Sequence, residues 1–308
     1  MAAKTSSFGF RLYWDALMGS IAHIGDCNLS LVSAGVAFFS MLSLFPALAA
    51  LIALLGLVSD PVLVVAQIED MRGLLPDDVY DIINAQVVSL VTTSSDTLGW
   101  AGLVSLGLAL WSARAGVGAM VTGLNAVYSE RNRNTAKHYL RALFLTVALV
   151  AIGIIALISL VVIPVFLAFF PLGVVGTLLI DALRWIVALF VLFAGIGLLY
   201  RFGPNRKAAR FNWLSPGAVV AVLFWVILSY GFAFYVANFG NYNQVYGSIG
   251  AVVAMLIWLW MSSFVVLFGA SLNAQIELRT HIDSTIGPDR PVGQRGAYVA
   301  DTIVDVDV

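Results

Sequence analysis

Charge is what this sequence has least of. Of 308 residues, 11% are Asp, Glu, Lys or Arg and 61% are hydrophobic, whereas a soluble domain carries about 25% charged residues. The deficit excludes a soluble protein and leaves too little polar sequence for a separate soluble domain. The net charge of −1 gives no bulk attraction for nucleic acid or for a strongly acidic partner. Cys27 is the single cysteine, which excludes an intrachain disulfide and a thiolate metal cluster. His23, His138 and His281 stand far apart, in no metal-ligand spacing. There is no G-x-S-x-G, no Walker A and no H-E-x-x-H, so the residues indicate no enzyme, no metal and no cofactor. Met1 to Ser7 is polar and precedes no short apolar run with a cleavage site, so no signal peptide is expected.

What the sequence has instead is long apolar runs, far longer than the roughly 10 residues of a barrel strand. A spanning helix needs roughly 20 such residues. The expected fold is therefore an all-α membrane protein with six transmembrane helices, at about Leu29–Val58, Leu98–Tyr128, Leu140–Phe170, Val174–Tyr200, Ser215–Asn238 and Tyr246–Leu278. Residues 1–28 form a cytoplasmic or interfacial amphipathic segment, 29–278 the transmembrane domain with an external loop at 59–97, and 279–308 a polar, loosely ordered cytoplasmic tail.

Basic residues set the orientation. Lys4, Arg11, Arg131, Arg133, Lys137, Arg141, Arg201, Arg206, Lys207, Arg210, Arg279, Arg290 and Arg295 fall on one side, against Arg72 and Arg184 on the other. This places both termini in the cytoplasm. The external loop is acidic, with Asp60, Glu69, Asp70, Asp77, Asp78, Asp81 and Asp96. Phe10, Trp14, Leu17, Ile21 and Ile24 recur at steps of four and three, on one helical face. That face either lies on the inner leaflet or packs against the bundle. Asp26 and Asn28 are candidate caps for the first span.

Two features break the apolar pattern inside the spans. Pro46 removes a backbone hydrogen bond near the middle of the first, where Ser40 and Ser43 can satisfy freed carbonyls. It marks either a kink or an unwound substrate site. Arg114 sits within the second span, where a guanidinium costs about 2.5–3.5 kcal/mol on insertion scales. At 1.5 Å per residue it lies roughly 24 Å below Leu98, in the inner third of the bilayer. Asn125 and Tyr128 follow it inward, and Ser271, Asn273, Gln275 and Glu277 end the last span at similar depth. These residues outline an inward-facing polar chamber in which Arg114 attracts an anionic group such as phosphate. The competing readings are that Arg114 snorkels to lipid phosphates or pairs structurally with Glu277, and that Asn273 makes a helix–helix hydrogen bond.

Four stretches carry a resemblance: AGVAFFSMLSLFP (Ala34 to Pro46), LWSARAGVGAMVTGLNAVY (Leu110 to Tyr128), YGSIGAVVAMLIWLWMSSFVVLFGASLNAQIE (Tyr246 to Glu277) and GQRGAYVAD (Gly293 to Asp301). Together they resemble the YihY/virulence factor BrkB family, over nearly the whole chain. The family commonly has glutamate where Ser271 stands and often where Gln294 stands, so roles that need an acid there do not carry over. The resemblance implies a six-span bacterial inner-membrane protein with no settled activity. Many members were once labelled ribonuclease BN, and the residues here give no support to a nuclease.

The function expected is a transporter or flippase-like protein for an amphipathic or anionic substrate, such as a membrane lipid. Its candidate site is Arg114, Asn125, Tyr128, Pro46, Ser43, Asn273 and Glu277. The alternatives are a non-transporting scaffold or regulator of envelope biogenesis and, third, a membrane-bound ribonuclease. Without a nucleotide motif, movement would be passive or gradient-driven.

Overall fold

The structure, a computed structural model, describes residues 10–58, 95–168, 173–206, 215–239, 248–280 and 283–304. The acidic loop, the 240–247 link, residues 207–214 and His281 lie outside them. The elements are α1 (Phe10–Asp26), α2 (Leu29–Val58), α3 (Ser95–Val127), α4 (Thr135–Ala168), α5 (Gly173–Phe202), α6 (Pro216–Phe239), α7 (Ser248–Leu278) and the short α8 (Tyr298–Asp301). All are helices, as the apolar runs require. Helices α2 to α7 hold 24 to 34 residues each, enough to cross about 30 Å of hydrocarbon. Five stretches, Leu103–Val127, Thr135–Ala156, Trp185–Phe202, Pro216–Val236 and Val252–Leu278, are long and apolar enough to span. A sixth counts if Arg11–Asp26 and Leu29–Leu44, bent by 68°, form one span.

Helices α2 to α7 close a ring in chain order, and α7 also reaches α3 across it. The α2–α3 contact is the most extensive and the α5–α6 contact the slightest of the six. Between α2 and α3, a Cβ on Gly123 would come within 2.8 Å of the Val32 side chain, so only glycine allows this approach. The core sits toward the end of the bundle that carries the basic loops, with Leu29, Val121, Leu124, Leu145 and Leu267 fully buried. The opposite surfaces expose Ile154, Ile155, Ile186, Phe190 and Phe234. An apolar exterior of this kind is at home in lipid.

The two readings of α1 both find support. Ala16 and Ser20 are fully buried, and Ala16 packs with Leu272 and Ile276 of α7. Trp14 and Ile21, on the apolar stripe, are exposed. The helix thus docks through Ala16, Ser20 and the Leu17 and Ile24 side chains and leaves Trp14 and Ile21 of the stripe exposed. Asn28 contributes through its backbone rather than as a side-chain cap: its φ is 50°, and its carbonyl accepts the Val32 N–H at 3.0 Å.

Two expectations need correction. Helix α2 continues through Pro46 without unwinding, and the Ser43 hydroxyl donates to the Ser40 carbonyl at 2.7 Å. The backbone around Pro46 is helical, which goes against the unwound reading of this proline. The tail is not loose over residues 283–304. Asp301 accepts the backbone N–H groups of Gly293, Arg295 and Gly296 at 2.8, 2.8 and 2.9 Å. Arg295 is buried and donates to the carbonyls of Arg290 and Ala300 at 3.0 and 2.9 Å. The Val304 N–H donates to the Leu278 carbonyl at 2.9 Å, and the Tyr298 N–H to Glu130 at 2.9 Å. The tail is therefore stitched back across the end of the bundle.

Candidate functional site

A polar layer forms where α3 and α7 end and α6 begins, near the chain leaving α5. Glu277, on the last turn of α7, receives Arg206 at both carboxylate oxygens, at 2.7 and 2.8 Å. The Ser284 hydroxyl donates to the same carboxylate. The Arg206 guanidinium also lies over the Tyr128 ring, 5.0 Å from its centroid. Burial opposes the charge on Arg206, but Glu277 more than restores it, so Arg206 stays protonated.

Asn273 completes the layer. Its carbonyl accepts the Gly217 N–H at 2.8 Å, its amide donates to the Ser215 hydroxyl at 2.9 Å, and its side chain is hydrogen-bonded to Tyr128. This is the helix–helix role, here at the first turn of α6. It depends on a backbone crossing: a Cβ on Gly217 would fall 2.0 Å from the Gly269 carbonyl, and one on Gly269 would fall 2.4 Å from the Gly217 carbonyl.

Asn125 is buried and acts as a staple between two loops. Its amide donates to Asn132 at 2.7 Å, and its carbonyl accepts the Asn205 N–H at 2.7 Å. Arg133 reinforces the join by donating to the carbonyls of Gly203 and Pro204, at 2.8 and 2.7 Å.

Next to the polar layer lies a cavity of about 180 Å³. Met120 of α3, Leu192 and Ile196 of α5, Val222 and Trp225 of α6, and Ser262, Ser263 and Val266 of α7 line it. Its few polar atoms are satisfied: the Trp225 indole donates to Ser262 at 3.0 Å, and the Ser263 hydroxyl to the Leu259 carbonyl at 2.8 Å. Tyr200, one turn after Ile196, donates its hydroxyl to the Val266 carbonyl at 2.6 Å. Along α7, Asn273 follows the cavity-lining Val266 by seven residues, so the apolar cavity and the polar layer are about two helical turns, roughly 10 Å, apart.

Of the residues expected to meet in a chamber, the structure brings together Tyr128, Asn273 and Glu277. Arg114 does not join them. Its guanidinium stacks over Tyr139 of α4 at 3.8 Å, with Trp111 at 6.0 Å, and Glu277 is taken by Arg206. The Arg114–Glu277 pair, one of the competing readings, is therefore not formed: Glu277 pairs with Arg206. Ser43 and Pro46 do not line the cavity. Sequence reasoning missed Arg206, Tyr200 and Trp225. Arg206 stood among the loop charges used for orientation, and nothing in its spacing marked it as a partner for α7. Among the described residues, no group of three His, Cys, Asp or Glu could hold a metal ion.

A family model described as Virulence factor BrkB matches residues 20–294. A Bacillus subtilis (strain 168) protein named as ribonuclease-like, YfkH, is 35% identical over 265 residues, covering 80% of this chain and 90% of that protein. A UPF0761 membrane protein of Xanthomonas campestris pv. campestris (strain B100) is 38% identical over 80 residues, 26% of this chain and 19% of that one. A UPF0761 membrane protein of Tolumonas auensis is 34% identical over 98 residues, 32% of this chain and 31% of that one. No solved structure matches.

Proposed function

The chain belongs to the Virulence factor BrkB family, and from that premise we propose that it is a flippase-like transporter of the bacterial inner membrane, carrying an amphipathic substrate of lipid type. One observation carries the reading. A 180 Å³ apolar cavity lies about two helical turns, roughly 10 Å, from a buried polar layer containing Arg206, Glu277, Tyr128 and Asn273. Engineered apolar cavities of about 150 Å³ stay dry and accept benzene, so this one is large enough for a segment of acyl chain. A head group would then meet the polar layer. Entry from the bilayer fits best between α5 and α6, the least extensive contact in the ring, with Leu192 and Ile196 facing Val222 and Trp225 across the cavity. Movement is passive or gradient-driven, since the sequence has no nucleotide-binding motif.

One feature favours a scaffold instead. Arg206 and Glu277 neutralise each other, and both ends of the Asn273 amide are already used. A transporter has to open this layer, whereas a scaffold keeps it shut. The ribonuclease-like name borne by the Bacillus relative finds no counterpart in a catalytic cluster among the described residues. The test is translocation of a fluorescent phospholipid in proteoliposomes. Rates above those of protein-free liposomes support transport, and equal rates leave the scaffold.

A further inference from the structure

We propose that the groove between α3 and α4, at the basic end of the bundle, binds the phosphate head group of an anionic lipid through Arg114 and Arg141. This site is separate from the cavity, which has no lining residue from α4. It stands or falls independently of lipid transport.

Arg114 carries an unmet charge. Arg114 makes no hydrogen bond or ion pair with protein groups among the described residues, and its Nε is buried without a partner. Its guanidinium instead lies over the Tyr139 ring, 3.8 Å from the centroid. A contact of this kind restrains the guanidinium and leaves the N–H edge free to grip an oxyanion. His138 and Arg141 follow on α4 at a three-residue spacing that puts them on one face. The His138 ring is hydrogen-bonded to the Gly118 backbone of α3, yet its Nδ1 is also buried without a partner. Two orphaned polar atoms thus sit at one helix junction.

The surroundings are cationic. Arg114 and Arg133 both act electrostatically on His138, and Arg141 acts on Arg133. Arg133 is committed to the Gly203 and Pro204 carbonyls. Glu130 is the carboxylate acting on Arg133, and it accepts the Tyr298 N–H. Arg141, like Arg114, makes no hydrogen bond or ion pair among the described residues. An anion is the missing component.

The apolar setting selects a lipid over a free ion. Trp111 is 63% exposed and Tyr139 38% on the outer surface of the bundle. Along the same helices Leu108, Leu140, Phe144 and Val147 are exposed as well, which gives acyl chains a surface to lie on. Basic pockets between spanning helices are established sites for anionic head groups.

The experiment titrates the purified full-length protein, in uncharged detergent and phosphate-free buffer, with phosphatidylglycerol while following its melting temperature. Phosphatidylcholine and inorganic phosphate serve as parallel arms. Phosphatidylglycerol raises the melting temperature of the parent, and the other two do not. Arg114→Gln and Arg141→Gln each weaken the apparent affinity about tenfold or more, the scale of one charge-assisted contact. Arg11→Gln, exposed on α1, which packs on α7 and α2, leaves it unchanged. Because Arg141 is only partly buried, its variant still decides the matter if Arg114→Gln does not fold. Parental affinity in the arginine variants, or an equal effect of phosphatidylcholine, overturns the site. Full reproduction by inorganic phosphate overturns the lipid assignment.

Discussion

Arg206 contacts both oxygens of Glu277, and the two side chains are nearly sealed from solvent, at 3% and 11% exposure. Such a pair adds little over apolar residues of the same volume, but removing one partner strands the other charge at a cost of about 3–5 kcal/mol. Arg206→Met and Glu277→Gln should each destabilise the protein on that scale in chemical unfolding from mixed micelles. The double variant should recover most of the loss. Arg206→Lys should rescue only part, since an ammonium cannot match both carboxylate oxygens.

Arg114 and Glu277 share no partner, so their substitutions should act independently. Arg114→Gln loses a stacking interaction of about 0.5–2 kcal/mol, against an insertion cost for the arginine of about 2.5–3.5 kcal/mol. Its stability in lipid-free detergent should be close to parental or slightly higher. In a cycle with Glu277→Gln the two effects should add within about 0.5 kcal/mol. A larger coupling would restore the link between them.

The contrast between these arginines marks where the sequence was legible. The apolar runs gave the helices, and helix direction gave the common depth of Tyr128, Asn273 and Glu277, which do meet. Depth was misjudged for Arg114. Gly123, nine residues on, meets Leu267, ten residues before Glu277, so the two charges lie roughly 28 Å apart along the bundle. Depth also says nothing of azimuth. Two residues on, Gly116 faces Ser40 and Phe39 of α2, and a step of two residues turns a helix by about 200°, which points Arg114 away toward α4. The partner of Glu277 came from a loop, where no periodicity exists to read. The tail was misjudged for a related reason. Its Gly and Pro residues look like slack, yet they are turns gathered around Asp283 and Asp301.

Orientation is open to direct measurement. The excess of basic residues predicts that a reporter fused after Arg210 is cytoplasmic and one inserted near Asp78 is external. Both positions lie outside the described residues, so the experiment rests on charge distribution alone. The opposite pattern at either site would reverse the placement of the polar layer and the basic groove.

The tail should respond to acid. Burial alone would raise the Asp283 carboxyl, but the Thr285 and Arg290 N–H groups and the Thr285 hydroxyl, with Arg295 nearby, reverse this and hold it at about 2. An unfolded aspartate titrates near 3.9. A folded value below the unfolded one gives stability that is complete above roughly pH 4–5 and is lost as pH falls through about 2. Asp301, also held low by its backbone donors once burial is overcome, adds in the same direction. Hydrogen exchange over residues 283–304 should therefore accelerate relative to the helices as pH falls toward 2, after correction for intrinsic rates. Asp283→Asn should show the fast exchange already at neutral pH.

The cavity separates the two functional readings most sharply. Ser263 lines it, and its hydroxyl is used only within its own helix, on the Leu259 carbonyl. Ser263→Leu therefore breaks no contact between helices. Overpacking a tight core costs about 1–3 kcal/mol, but here the added carbons enter existing space of about 180 Å³ and gain apolar contacts at about 25 cal/mol per Å² buried. The variant should melt at or above the parental temperature. If an acyl chain has to pass through this space, phospholipid translocation in proteoliposomes should fall to the protein-free rate despite the intact fold. If the cavity is a packing defect in a scaffold, filling it should raise stability and leave any lipid movement as it was. A stabilised variant with parental translocation would remove the cavity from the path.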